Sequence, residues 1–365
     1  MLVACRESSR HHKETSSNNS TPTVSLNITG NNNNNNNIVR QNCNNACVEE
    51  EEIKVFSLSI PRCVACWVAD IIDRKQRVKL SKDCFSEWGP VPAGVPQGTK
   101  LGPWLFILMI NDLRVSGFHS WIDVDDPTVA EIVPRGESSD IQSAVHAVET
   151  WSCDNHMTLN ADKCKVMNID FKKNRHAFEP VIVDGKELSV VSSAKILGVT
   201  LSSDLTWNDH VNEAIRKANK RLYFLVLLKR AGVNPPDIIN FYCIVVRPVL
   251  EYCSPIFHHA LPEYLINDIE RVQKRALSII SPDCPYSLCL SIYDLDTLRS
   301  RREEQCFKLF NVIPGNHKLS HLLPPKNVNH YNLRRNRKYD LPSVRTKRFQ
   351  RSFIPAMRRL TNNTV

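Results

Sequence analysis

Apolar residues recur at intervals of three and four positions through the second half of the chain, which is the spacing of one buried helix face. One helix is predicted from Asn208 onward. A second is predicted to start at Pro235-Pro236, where proline suits the first helical turn, and a third runs from Leu265. Their apolar stripes are Val211, Ile215, Ala218, Leu222 and Leu225; Ile239, Tyr242, Val246 and Leu250; and Leu265, Ile269, Val272, Ala276 and Ile279. The pattern therefore predicts helices that pack together through one face each.

Residues 60–201 show a different order of patterns, in which helices alternate with short strands. The order is a helix, a glycine-rich loop with a second helix, a β-hairpin, a third helix and then short strands. Core spacing marks the third helix at Ile141, Ala144, Val145, Val148 and Trp151. This order favours an α/β (α+β) fold with a split β-α-β antiparallel sheet and helices on one of its faces.

Residues 1–59 lack this periodicity. They contain an uninterrupted asparagine run, Asn31 to Asn37, and an acidic run, Glu49 to Glu52. Polar runs of this kind bury too little apolar surface to offset the entropy lost on ordering, and neither run can form a buried strand. We predict that residues 1–59 form a disordered, low-complexity tail. Whether residues 1–52 are a genuine terminus stays open.

Composition restricts the cellular context. The 365 residues are enough for two ordinary domains. No apolar run reaches the roughly 18 residues of a membrane helix, and the polar start of the chain lacks the apolar core of a signal peptide. The 13 scattered cysteines indicate free thiols in a reducing compartment. We predict an intracellular protein with no membrane partner; the sequence does not distinguish nucleus from cytoplasm or give the oligomeric state.

Four cysteines have a spacing that a structural zinc site could use, namely Cys43 with Cys47 and Cys63 with Cys66. In the alternative interpretation, Cys63 and Cys66 are small apolar residues on a helix and the other two lie in the tail. Both interpretations stay open at this point.

The positive charge is concentrated at the C-terminal end. Residues 301–365 contain 15 Lys and Arg against three Asp and Glu, whereas the whole chain has a net charge of +9. Aromatic residues such as Tyr339 and Phe349 lie among these cations, and this combination suits phosphate contacts with base stacking. The candidate nucleic-acid-binding residues are Arg334, Arg335, Arg337, Lys338, Arg345, Lys347, Arg348 and Arg351. A solvated basic region or a nuclear-localisation-like patch is the alternative.

Two adjacent carboxylates, Asp125 and Asp126, lie at a predicted hairpin turn between residues 121–124 and 128–133. Adjacent carboxylates repel each other unless a cation lies between them. Nucleotidyl transfer uses such cations, since carboxylate-bound Mg²⁺ ions activate the attacking hydroxyl and stabilise the leaving group. An ordinary acidic surface turn is the alternative interpretation.

A glycine- and proline-rich loop precedes the second helix. Gly94, Pro96, Gln97 and Gly98 lie in this loop, whose backbone could approach a base pair closely because glycine has no side chain. An apolar helix follows from Trp104.

The run from Gly94 to Leu113, taken with the Asp125-Asp126 turn, closely resembles reverse transcriptases, and more narrowly those of jockey-like non-LTR retrotransposons (LINE elements). The resemblance continues over much of the chain, from about Ile60 to near the C-terminus. Further segments that resemble the family are Arg74 to Leu80, Ser86 to Trp88, Leu159 to Lys165, Lys195 to Leu201, Arg247 to Tyr252 and Glu270 to Ala276.

The resemblance implies a partial polymerase palm at 60–201, a helical thumb and connection region at 202–300, and a basic C-terminal region at 301–365. It implies an RNA-directed DNA polymerase, a nucleotidyltransferase that uses Mg²⁺, deoxynucleotides, an RNA template and a DNA primer. The roles that it implies are metal binding for Asp125 and Asp126, proximity to the triphosphate for Lys163 or Lys165, and nucleotide or template contact for Gly94, Pro96, Gln97 and Gly98.

Three departures from the family pattern affect this expectation. The upstream segment with the first metal-binding carboxylate has no counterpart, so we expect an N-terminally truncated, inactive chain with an exposed apolar sheet edge. Asp123 stands where the family has an aromatic residue, either as a replacement ligand or as a decay mutation. Pro127 removes a ladder donor and is expected to distort the turn. The alternatives are a non-catalytic nucleic-acid-binding remnant and a functionless transposon relic.

Overall fold

The computed structural model describes residues 60–72, 75–90, 98–134, 137–155, 157–172, 178–326 and 338–363, together with the backbone of residues 2–6. The remainder of the predicted disordered tail lies outside the described residues. The chain divides into two compact units, Met1–Ala194 and Lys195–Val365. Helices and strands are mixed, in agreement with the predicted α/β class.

The first unit contains three described helices and nine described strands. The helices are α1 (Arg62–Ile72), α2 (Gly102–Ile110) and α3 (Ile141–Asp154). The strands are β1 (Leu2–Arg6), β2 (Lys75–Gln76), β3 (Gly89–Pro90), β4 (His119–Asp123), β5 (Asp126–Val133), β6 (Lys165–Asp170), β7 (Ile182–Val183), β8 (Lys186–Glu187) and β9 (Ser189–Val190).

Five of these strands form one sheet in the order β4-β5-β1-β6-β9. Only the β4–β5 hairpin is antiparallel, because β1 runs parallel to both β5 and β6, and β6 runs parallel to β9. The prediction of an antiparallel sheet is therefore wrong outside the hairpin. The physical reason is that β5 and β6 are joined through helix α3, and a helical crossover returns the chain in the same direction.

Strand β1 is the main difference from the sequence analysis, which assigned residues 1–59 to a disordered tail. Leu2 pairs with Val129 on β5 and with Val166 on β6, and the register continues to Arg6. The backbone groups on the facing sides of β5 and β6 therefore have partners. The exposed apolar edge that we expected from a missing strand is not present between β5 and β6.

Helix α3 covers this sheet with the apolar face that its spacing predicted. Ile141, Ala144, Val145 and Val148 are buried, as are the sheet residues Val129, Ala130, Met167 and Ile169. The amide of Gln142 also exchanges two hydrogen bonds of 2.9 Å with the backbone of Ile182 on β7. The predicted helix and its core face are confirmed.

The second unit is helical after one strand pair at its start. The pair is β10 (Ser193–Ile196) and β11 (Val199–Ser202). The helices are α4 (Asn208–Arg230), α5 (Pro235–Phe241), α6 (Arg247–Glu251), α7 (Ser254–Phe257), α8 (Glu263–Ile280), α9 (Tyr286–Ile292), α10 (Leu298–Val312), α11 (Lys347–Arg351) and α12 (Phe353–Asn363), and one π-helical segment is Tyr242–Val246.

The three predicted apolar stripes lie in the core of this unit, either buried or packed against it. The helix predicted from Pro235 differs in one respect, because the π-helical segment interrupts it. Pro248 has no N–H with which to bond the carbonyl four residues earlier. The N–H of Arg247 instead donates to the carbonyl of Tyr242, five residues earlier, and Arg221 from α4 donates to the carbonyl of Val245. The wider turn thus keeps these backbone carbonyls bonded.

A hydrogen-bonded group of polar side chains lies inside the helical core. Gln273 on α8 is fully buried, and its amide oxygen accepts from the Tyr242 hydroxyl at 2.7 Å. Its amide nitrogen donates to the Tyr286 hydroxyl at 3.0 Å and to the carbonyl of Asp296 at 2.9 Å. Burial also raises the pKa of Tyr242, so its hydroxyl keeps its proton and acts as the donor.

We expect Gln273→Leu to destabilise the chain by about 1–3 kcal/mol, because the buried Tyr242 hydroxyl loses its acceptor. The measurement is urea denaturation followed by circular dichroism. Tyr242→Phe combined with Gln273→Leu is the matched control and should recover part of the loss, since no hydroxyl is then left unpaired. Equal stability of Gln273→Leu and the wild type would contradict the prediction.

Candidate functional site

The two predicted metal-binding carboxylates lie at the turn of the β4–β5 hairpin. Asp123 ends β4 and pairs with Asp126, which begins β5, and Val124 and Asp125 form the two-residue turn between them. Pro127 opposes Ile122, so the ladder continues across the proline. Val124 has a positive φ of 54°, which costs energy for a β-branched residue. Two-residue hairpin turns require such a φ, so this value follows from the turn type rather than from Pro127.

The acids of this hairpin differ in their environment. Asp123 and Asp125 are exposed, whereas Asp126 is half-buried. Burial raises the pKa of Asp126, and the nearby charge of Asp125, and less strongly that of Asp123, raises it further. Lys163 lies near enough for its charge to oppose this rise. Of the predicted site residues, Lys163 therefore has a small electrostatic influence on Asp126.

Lys163 and Lys165 lie at the start of β6, two strands away from β5 in the sheet. Lys163 belongs to the turn that precedes the strand, and its N–H donates to the carbonyl of Asn160 at 3.0 Å. Lys165 is the first residue of β6 and is exposed. Of the two lysines proposed by resemblance, only Lys163 influences the pKa of Asp126.

The carboxylates of the described residues do not fit a pair of Mg²⁺ ions. Mg²⁺ requires near-octahedral oxygen coordination, and two ions need several carboxylates that converge from different directions. Within the described ranges, no group of three or more His, Cys, Asp or Glu side chains could hold a metal ion. Strand β1, which lies next to β5, has the sequence Leu-Val-Ala-Cys-Arg and contributes no carboxylate. Among the described residues, the hairpin acids therefore belong to no group that could hold a metal ion.

The glycine-rich loop is described only at its end. Gly94, Pro96 and Gln97 lie outside the described residues. Gly98 has a φ of 78°, a conformation that favours glycine. The Thr99 hydroxyl then accepts from the N–H of Gly102 at 3.1 Å, which fixes the entry into α2.

The structure describes two of the four cysteines considered for a zinc site, together with eight others. Cys43 and Cys47 lie outside the described residues, and Cys63 and Cys66 are exposed on α1, whose buried face contains Ala65 and Val68. The predicted helical position of Cys63 and Cys66 is therefore confirmed, and both side chains lie on its exposed face. All cysteines with described side chains are free thiols.

The basic C-terminal region is exposed, but its aromatic residues are not all available. Lys338, Arg345, Lys347, Arg348 and Arg351 are exposed, and Arg334, Arg335 and Arg337 lie outside the described residues. Tyr339 is 2% exposed and packs edge-on against Phe310 of α10, with ring centroids 5.7 Å apart. The expectation that Tyr339 is free to stack on bases is wrong, because α10 buries its ring.

Sequence analysis assigned no role to a basic and aromatic hairpin near β2 and β3. The Arg77 guanidinium lies 4.1 Å from the ring centroid of Phe85 and 4.9 Å from that of Trp88. The Lys79 ammonium lies 5.3 Å from the Phe85 ring. The available signal was the alternation of cations at positions 75, 77 and 79.

The structure thus defines a mixed helix-and-strand protein with an acid hairpin at one edge of its main sheet. The chain is similar to the RNA-directed DNA polymerase from mobile element jockey of Drosophila melanogaster, with 26% identity over 206 residues, 53% of this chain and 22% of the relative. It is also similar to the probable RNA-directed DNA polymerases of transposon X-element (23% identity, 52% and 22%) and transposon BS (26% identity, 59% and 25%) from the same organism.

These comparisons confirm the resemblance to reverse transcriptases of jockey-like non-LTR retrotransposons. The chain spans between 22% and 25% of the length of these curated relatives. No family model and no solved structure matches the chain. In the part of the chain that the structure describes, no helix is long and apolar enough to cross a membrane.

We expect Asp126→Asn to stabilise the chain at pH 7. Because the pKa of Asp126 is higher in the folded chain, ionisation of its carboxyl opposes folding. The protonated carboxyl contributes to folding stability below the pKa of the unfolded state. This contribution is lost as pH rises through the pKa of the folded state. Removing a like-charge cross-strand pair should raise the melting temperature by about 1–3 °C at pH 7. The gain should shrink as pH falls towards about 4.

The measurement is thermal denaturation of wild type and variant between about pH 4 and 7.5. Glu187→Gln on β8 is the control, since it removes an exposed carboxylate from the same unit. A melting temperature of Asp126→Asn below that of the wild type at pH 7 would contradict the prediction.

We expect the triple variant Arg345→Ala/Lys347→Ala/Arg351→Ala to lower the salt dependence of single-stranded RNA binding. Loss of three phosphate contacts should reduce the slope of log K against log salt by about 2. The control Arg275→Ala/Lys318→Ala/Lys326→Ala removes the same charge from scattered exposed positions. Equal slopes for the two triple variants would show a general charge effect rather than a local surface.

Proposed function

We propose that this chain is a reverse transcriptase-type protein of a non-LTR retrotransposon that binds RNA template and DNA primer but does not extend the primer by itself. In this proposal, residues 60–201 form part of a polymerase palm and residues 202–300 form a helical thumb and connection region. Residues 301–365 supply basic contacts to nucleic acid. The names of the relatives give RNA-directed DNA polymerase as their activity, which supports the family assignment.

The observation that carries the proposal is the acid hairpin in its sheet. Asp125 and Asp126 lie at a two-residue turn, and Lys163 lies close enough to affect the pKa of Asp126. A lysine beside paired carboxylates is suited to a site for a nucleoside triphosphate, because the ammonium group complements phosphate charge. The resemblance assigns metal binding to Asp125 and Asp126, and proximity to the triphosphate to Lys163 or Lys165.

The same sheet supports the absence of polymerase activity from this chain. Strand β1 occupies the position beside β5, and it contains no Asp or Glu. Asp123 adds negative charge opposite Asp126, yet the described acids form no three-residue group suited to a metal ion. Without converging ligands, deoxynucleotides and Mg²⁺ would lack the arrangement that in-line transfer requires.

Nucleic-acid binding does not depend on this metal arrangement. The exposed cations around α11, Lys347–Arg351, can contact phosphates whether or not transfer occurs. Thr346 caps α11 by accepting from the N–H of Phe349 at 3.2 Å, which fixes the position of the cations on this short helix. The second candidate function is therefore a non-catalytic nucleic-acid-binding protein.

The test is primer extension on an RNA template with the full chain, deoxynucleotides and Mg²⁺ or Mn²⁺. We expect no extension above that of Asp125→Ala. Binding of the RNA–DNA hybrid, measured in parallel by fluorescence anisotropy, should weaken as salt rises because phosphate contacts release counterions.

Two outcomes would contradict the proposal in different ways. Extension by the wild type that Asp125→Ala abolishes would show a working metal site completed by another carboxylate. Absence of both extension and binding would favour a functionless transposon relic.

A further inference from the structure

The segment from Lys75 to Pro90 forms a small hairpin, which we call the β2–β3 hairpin. Lys75 pairs with Pro90, Gln76 pairs with Gly89, and Lys79 forms an isolated bridge with Phe85. Alternate residues of an extended chain point to the same side, so Lys75, Arg77 and Lys79 share one face. Residues opposite one another also share a face, which places Phe85 with these cations.

The rings on this face remain open to solvent. Trp88 is 60% exposed and Phe85 is 42% exposed, although the guanidinium of Arg77 lies over both rings. Both rings keep exposed apolar surface that a stacked partner would bury, and Arg77 and Lys79 place positive charge beside them. The face is therefore suited to a flat ligand that also carries negative charge.

Hydrogen bonds hold the hairpin in shape. The N–H of Val78 donates to the Ser86 hydroxyl at 2.8 Å, and the N–H of Ser86 donates to the carbonyl of Val78 at 2.9 Å. The N–H of Leu80 donates to the carbonyl of Cys84 at 2.9 Å. A ligand would consequently meet rings that are already positioned, and little ordering entropy would be lost on binding.

The net charge of the hairpin is small, so attraction to phosphates alone does not account for its exposed rings. The cations Lys75, Arg77, Lys79 and Lys82 are balanced in part by Asp83 and Glu87, both exposed. These residues leave an excess of two positive charges on the hairpin. Base stacking is tolerant of such carboxylates because it depends on the ring faces.

We propose that the β2–β3 hairpin binds single-stranded nucleic acid, with bases stacked on Trp88 and Phe85 and phosphates contacted by Arg77 and Lys79. This inference rests on the proposed function and names a second contact surface for its nucleic-acid partner. Carboxylates of an acidic peptide could pair with the cations, but they have no flat ring to stack on the exposed parts of Trp88 and Phe85. The observations therefore favour nucleic acid.

The experiment uses the full chain and a fluorescein-labelled oligouridine of about ten nucleotides, a length within the range that single-strand-binding domains cover. Affinity is measured by anisotropy at several salt concentrations. Trp88→Ala and Phe85→Ala should each weaken binding about tenfold without changing the salt slope, because a stacking contact carries no charge. Arg77→Ala should lower the slope by about 0.7.

Two controls separate stacking from loss of structure. Trp88→Phe keeps an aromatic face and should retain most of the affinity. Trp67→Ala removes a tryptophan that is 58% exposed on α1 and should leave the affinity unchanged. Circular dichroism of each variant checks that the chain remains folded.

Three results would overturn the inference. Unchanged affinity of Trp88→Ala and Phe85→Ala, with wild-type binding intact, would refute the hairpin surface and leave the proposed function standing. Competition by polyglutamate as strong as that by unlabelled oligouridine would indicate a charge-only surface for acidic proteins. Failure of the wild type to bind either the oligouridine or the RNA–DNA hybrid would refute the proposed function together with the inference.

Discussion

The parallel pairing of β1 on both sides is the interaction on which the first unit depends. Neighbouring strands lie about 4.8 Å apart, so β5 and β6, each one place from β1, are too far apart to bond directly. Residues Leu2–Arg6 bridge them along five successive positions. Without this strand, the sheet would separate into the β4–β5 hairpin and the β6–β9 pair, and the buried row that contains Ala130 and Met167 would lose its continuity.

This arrangement also governs the chemistry of the site. The acid hairpin includes β5, whereas Lys163 lies in the turn before β6, on the other side of β1. Strand β1 between them supplies no carboxylate. Among the described residues, the sheet thus contains the acids but no group of three side chains that could hold a metal ion. The two proposed nucleic-acid surfaces, on the β2–β3 hairpin and around α11, do not depend on a metal site.

The sequence predicted an element correctly where an apolar pattern repeated over several helical turns, or where a turn motif separated two strand patterns. The stripe on α4 and the core face of α3 are such patterns, and the β4–β5 hairpin had a turn between two strand patterns. Strand β1 could not be found because four apolar residues followed by Arg6 and a long polar stretch have no period. The π-helical segment depends on Pro248 and on Arg221 from another helix, and the burial of Tyr339 depends on Phe310, so both required tertiary contacts. For the site, the hairpin position of Asp126 followed from sequence, but its half-buried state did not.

Val124 gives the acid hairpin a dynamic character. Three features weaken the β4–β5 turn. Val124 is a β-branched residue at positive φ, and two carboxylates face each other where the ladder ends. Strand β4 is also an edge strand whose side chains are mostly exposed. Local opening starts where few buried contacts oppose it. The acids therefore lie in the segment of this sheet that should exchange its amide protons soonest, while the β1 ladder behind them stays closed.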